Sequence, residues 1–116
     1  KETDEEKAAR SAAIQEATAY AAQVPLEVAR RACALMPRIA EVARRGNQNA
    51  VTDACVAMLS ARNAVLAALL NVRINLSSLK DQALVARLQA EADELEQQAT
   101  AREQELLAEV KTMLNA

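Results

Sequence analysis

Residues 54–70, ACVAMLSARNAVLAALL, decide how this chain folds. Only Ser60, Arg62 and Asn63 interrupt the apolar run. A helix that is apolar nearly all round belongs at the centre of a bundle. With Arg62 and Asn63 in its middle, and a length short for a bilayer, the segment reads as a bundle helix rather than a membrane span. The surrounding composition agrees. About a quarter of the 116 residues are Ala, with one Gly, two Pro, one Tyr and no Phe, Trp or His. Strong helix formers dominate, and the β-branched and aromatic residues that strands need are scarce. The expectation is an all-α protein, a single helical domain over residues 1–116.

Outward from that centre the punctuation predicts about four helices. Thr3-Asp4-Glu5-Glu6 has the Ser/Thr-x-x-Glu form of a capping box and opens a helix running to about Gln23. Pro25 suits the first turn of a second helix, where its missing N–H costs little. That helix is expected to end at Gly46, as a C′ residue, with Arg44 and Arg45 against its negative end. Pro37 lies in its interior and is expected to kink or split it. The polar loop 46–49 leads to the central helix, with Thr52 or Asp53 near its N-terminus. A long last helix begins near residues 79–81. That helix would be about 50 Å long, longer than a small bundle covers, so its stripe of Val85, Leu88, Ala92, Leu95, Ala99, Leu106 and Met113 predicts packing against a second subunit and a homodimer.

Charge is unevenly placed. The net value is −2, which favours neither nucleic acid nor an anionic membrane. Residues 30–73 nevertheless hold seven arginines (30, 31, 38, 44, 45, 62 and 73) against Glu41 and Asp53, between acidic flanks. Arginine suits bidentate carboxylate or phosphate recognition, and equally suits pairing with those flanks. The absence of histidine excludes His-ligated zinc, Glu-x-x-His di-iron sites and Ser-His or Cys-His nucleophiles. A single glycine excludes glycine-rich phosphate loops. Cys33 and Cys55 stand alone without CxxC spacing, which predicts buried, reduced thiols, and with no secretory signal the cytoplasm is the default expectation.

Several strings occur in one order: Thr3-x-x-Glu6-Lys7 with Arg10, Ala21-x-x-Val24-Pro25-Leu26, Leu35-x-Pro37, Ala43-Arg44-Arg45-Gly46-Asn47, Thr52-Asp53, and Asn71-Val72-x-Ile74-Asn75-Leu76 before Lys80-Asp81. Along essentially its whole length the chain resembles the cyclodeaminase/cyclohydrolase family of folate one-carbon metabolism. Members of that family carry a glycine-rich segment and two further helices upstream, so the resemblance implies the C-terminal part of a longer domain. It also implies a tetrahydrofolate derivative as substrate, with no metal or electron-transfer cofactor. In the cyclodeaminase reaction N10 attacks a 5-formimino carbon and ammonia leaves. In the cyclohydrolase reaction water attacks the 5,10-methenyl carbon. Both need a carboxylate or amide beside a cationic carbon.

On that resemblance Asp53 is the expected catalytic carboxylate, although an Asp in a first turn also serves as a helix cap. Asn71 and Asn75, at i and i+4, share one helix face and are expected either to read a pterin edge or to bond between helices. Asn47 would belong to a ligand loop. Arg45, with Arg44, Arg30 or Arg31, would hold the glutamate tail. The competing expectation is a non-catalytic helical oligomerisation module derived from the same family.

Overall fold

The computed structural model describes residues 1–115 and is helical throughout, with no strand among the described residues. Three helices replace the expected four: α1 Asp4–Arg45, α2 Gln48–Leu76 and α3 Gln82–Asn115. They form an up-down-up layer of 73 × 19 × 15 Å. Residues before Gln15 run past the far end of the layer by about 16 Å at the usual rise per residue. Gln15 marks that end: its Nε2 donates to the Ser78 carbonyl (3.1 Å) and its Oε1 accepts from Lys80 N–H (2.9 Å). Thr3 caps α1 as expected, accepting from Glu6 N–H.

The correction concerns the prolines. Neither Pro25 nor Pro37 starts or splits a helix; both lie inside a continuous α1. A proline within a helix removes the donor for the carbonyl four residues earlier, here Ala21 and Cys33. Each of those carbonyls is supplied from another helix. Asn75 Nδ2, on α2, donates to Ala21 O at 3.3 Å, and Arg102 Nη1, on α3, donates to Cys33 O at 2.9 Å. α1 also keeps an uninterrupted 3–4 seam through both prolines: Ala22, Leu26, Ala29, Cys33, Met36, Ala40 and Ala43 are all buried. That seam packs against Val51, Ala54, Met58, Val65, Leu69, Val72 and Leu76 of α2. Burial on this scale contributes about 1.5–3 kcal/mol for each large side chain, and it outweighs two lost helix bonds.

Two further expectations change. The α3 stripe is not a free seam, because Leu88, Ala92, Leu95, Ala99 and Leu106 are buried within the chain, chiefly against α2 and to a lesser extent α1, while Met113 near the end stays exposed. The central helix is buried on one side alone. Val56, Leu59, Leu70 and Ile74 of α2 are exposed, as are Ile14, Val24, Val28, Leu35 and Val42 of α1. The uncovered apolar face therefore belongs to α1 and α2. By length and composition alone α2 would suffice to cross a membrane. At its midpoint, however, Arg62 Nε lies 2.7 Å from Glu103 Oε2 of α3, with both atoms shut off from solvent.

The charge imbalance is largely met inside the layer. Arg30 grips Glu91 with two nitrogens. Arg44 does the same to Glu109 at 2.9 and 3.0 Å. Arg73 reaches Asp93 (3.0 Å) and Glu96 (2.7 Å). These guanidiniums hold the Glu91, Asp93 and Glu109 carboxyls below the ordinary carboxylate range. Both thiols are free, and burial pushes each up.

Two outcomes follow. Replacing Arg102 with Met strands the Cys33 carbonyl and should cost about 1–3 kcal/mol in urea unfolding. In a Pro37→Ala background the restored N–H should shrink that cost by at least half; an equal cost in both backgrounds contradicts the pairing. Carboxyls whose folded pKa is lowered add stability above their unfolded pKa and lose it as pH falls through the folded one. The melting temperature should therefore stay level from pH 8 to 6 and drop below about pH 4.5. Arg44→Met should blunt the drop, and a melting temperature that rises on acidification would refute this account.

Candidate functional site

The α1–α2 turn is built by two residues. Gly46 ends α1 as the cap residue itself, with extended backbone (φ −73°, ψ 165°) rather than as the expected C′ residue. Its need for no side chain is one of space: a Cβ there would sit 2.8 Å from the Val42 carbonyl oxygen and 3.1 Å from the Ala50 Cβ. Asn47 then caps α2, its Oδ1 accepting from Ala50 N–H at 3.0 Å. The cap is therefore Asn47, and Asp53 stands in the second turn with no capping duty.

That shift frees the Asp53 carboxylate. It lines a cleft of about 430 Å³ between the helices, walled by Leu35, Arg38, Ile39 and Val42 of α1 and by Ala50, Ala54 and Ala57 of α2. The three alanines open the trough, since larger side chains at those positions would fill it. Asp53 is exposed and makes no hydrogen bond or ion pair with the described residues. Arg38, on the opposite wall, is the one member of the seven central arginines without an acidic partner among the described residues. The reason lies in Glu41, which faces both Arg38 at i−3 and Arg45 at i+4. It pairs with Arg45 at 3.1 Å, the orientation helices favour. Sequence reasoning passed over Arg38, and this competition for Glu41 was the signal that would have found it.

The expected site residues fall into two groups. Asp53, Asn47 and Arg45 cluster at the turn end of α2. Arg45 lines an adjoining open hollow with Arg38, Glu41, Val42 and Gly46. Asn71 lies eighteen residues beyond Asp53, five turns along and on the same face, about 27 Å away. Its side chain is exposed. Asn75 gives its Nδ2 to the Ala21 and Asn71 carbonyls. Within one chain the two amides and the carboxylate do not meet. Among the described residues no Cys, Asp and Glu side chains converge in a way that could hold a metal ion.

The family described as formiminotransferase-cyclodeaminase matches residues 1–94. A methenyltetrahydrofolate cyclohydrolase of Methylorubrum extorquens is 42% identical over 116 residues, spanning 99% of this chain and 55% of that protein. A formimidoyltransferase-cyclodeaminase of Sus scrofa is 36% identical over 99 residues, spanning 85% of this chain and 18% of the relative. That of Rattus norvegicus is 37% identical over 81 residues, 70% of this chain and 15% of the relative. The chain thus spans about half the length of its bacterial relative and under a fifth of the mammalian ones. The resemblance drawn from the ordered motifs holds, and the chain belongs to the formiminotransferase-cyclodeaminase family.

Proposed function

We propose that the chain forms part of a cytoplasmic folate one-carbon enzyme of cyclohydrolase type, with the cleft at Asp53 holding the reacting carbon. The observation that carries this reading is a carboxylate on an apolar cleft that no neighbour neutralises, in a member of a folate-metabolising family. A 5,10-methenyl carbon is cationic, and a nearby carboxylate stabilises that charge. The same carboxylate takes a proton from the attacking water as its oxygen bonds to carbon. The proton then passes to the ring nitrogen whose bond to carbon breaks, while the remaining hydroxyl proton leaves to solvent as the formyl C=O forms. No metal or redox cofactor enters these steps. The relative matched along the whole chain is named a cyclohydrolase, which favours water addition over loss of ammonia.

The uncovered face of α1 and α2 supports a homodimer or higher assembly, joined there rather than through α3. Along α2 the residues Asp53, Ala57, Ser60, Ala64, Ala67 and Asn71 are spaced symmetrically about position 62. Two antiparallel copies meeting on this row of small residues set Asp53 of one beside Asn71 of the other, which would reunite the two halves of the expected site. In this reading α2 is a packing helix and membranes play no part. The exposed face also favours the second reading, a non-catalytic assembly module.

Two measurements test these readings on the full-length protein. Asp53→Asn should lower turnover of 5,10-methenyltetrahydrofolate by about 100-fold or more while leaving the melting temperature unchanged, because the carboxylate has no structural partner. Retained turnover would place the chemistry elsewhere, and a wild type that neither turns over nor is stabilised by reduced folate would favour the assembly module. In sedimentation, Val56→Glu with Leu70→Glu should shift the protein toward monomer; an unchanged oligomer would remove this face as the interface.

A further inference from the structure

We infer that Arg38 is the anion anchor of the cleft, binding the glutamate carboxylates of the folate tail and so selecting tailed over tail-neutral ligands. This rests on the folate reading of the cleft and goes beyond it by naming the residue that reads the tail.

The other central arginines are committed. Arg30, Arg44, Arg62 and Arg73 hold acids of α3. Arg31 and Arg45 hold Glu27 and Glu41 on their own helix. The arginines that sequence alone nominated for the tail, at 30, 31, 44 and 45, therefore each already face a carboxylate. Arg38 is the remaining one, and it stands on a wall of the cleft. Across the trough, Asp53 lies beyond ion-pair distance of it. The cleft thus presents an unmatched cation and an unmatched anion on facing walls, separated by Leu35, Ile39, Val42, Ala54 and Ala57.

The ligand that fits this pattern has a cationic end, an apolar body and an anionic end. A methenylated folate has that order: the one-carbon cation toward Asp53, the aminobenzoyl ring along the apolar walls, and the glutamate toward Arg38. A guanidinium grips a carboxylate with two parallel N–H donors, which gives direction as well as affinity. Arg38 also borders the open hollow shared with Arg45 and Gly46, so a chain leaving the cleft past Arg38 runs out into solvent there. The cleft volume of about 430 Å³ lies in the range of small-molecule sites.

The test compares tetrahydrofolate with its glutamate diamide, which keeps length and shape but removes both tail charges. Binding is measured by calorimetry on the full-length protein. The wild type should prefer the acid by about 10-fold or more, and added salt should erode the preference. Arg38→Gln should abolish the preference while leaving diamide affinity and melting temperature unchanged, and Arg38→Lys should restore part of it. If Arg38→Gln still prefers the acid, the tail is read elsewhere and the folate reading survives without this assignment. If the variant loses both ligands equally while still melting normally, Arg38 shapes the cleft and does not read charge, which also overturns it. A wild type that binds neither ligand overturns the folate reading and this inference together.

Discussion

Each proline inside α1 strips the hydrogen-bond donor from one carbonyl a turn earlier, and the layer is arranged around supplying the loss. Ala21 O receives Asn75 from α2, and Cys33 O receives Arg102 from α3. A buried carbonyl without a donor is costly, so at Cys33, which is buried, the contact adds energy as well as fixing axial position, whereas at the exposed Ala21 it mainly fixes position. An apolar seam alone tolerates sliding by a heptad. A carbonyl with a single available donor does not. Placing one such lock on each neighbouring helix sets the register of the whole layer, and with it the residues that face each other across the cleft.

Electrostatics then determine which charges remain available for chemistry. α3 carries a row of acids that meets arginines from both other helices, while short-range pairs along α1 take Glu27 and Glu41. Most of these pairs are exposed and individually weak. Their larger effect is to occupy guanidiniums that would otherwise look like ligand contacts. Arg38 and Asp53 are left over on facing walls of one trough, each excluded from pairing by geometry rather than by a lack of charge nearby. Binding energy at such a site comes from groups already in place, which lowers the reorganisation a ligand must drive.

The sequence was legible where a rule depended on local chemistry. Thr3 as a cap, Gly46 as the end of α1, the helicity though not the all-round burial of the apolar 54–70 segment, and the all-helical composition were readable from neighbours a turn apart. The merging of two expected helices was not, because Pro25 and Pro37 break helices by local rules, and the residues that rescue them are far away in sequence. The seam from Ala22 to Ala43, unbroken through both prolines, was the available clue. Asp53 was seen as a possible cap because the preceding loop looked longer than it is; Asn47, six residues earlier, caps α2. The α3 stripe was legible as a seam, but that it packs within the chain, chiefly on α2, was not. Motif order, by contrast, read through to the family, since it does not depend on where helices start.

The register lock can be observed directly. A 13C=18O label at the Cys33 carbonyl isolates its amide stretch from the rest of the helix in the infrared. The account predicts a band at hydrogen-bonded frequency in the wild type that moves to higher frequency when Arg102 becomes Met, with α1 still helical by circular dichroism. A band that already sits at the frequency of an unbonded carbonyl, or that ignores the substitution, would contradict the claim that α3 supplies what Pro37 removes.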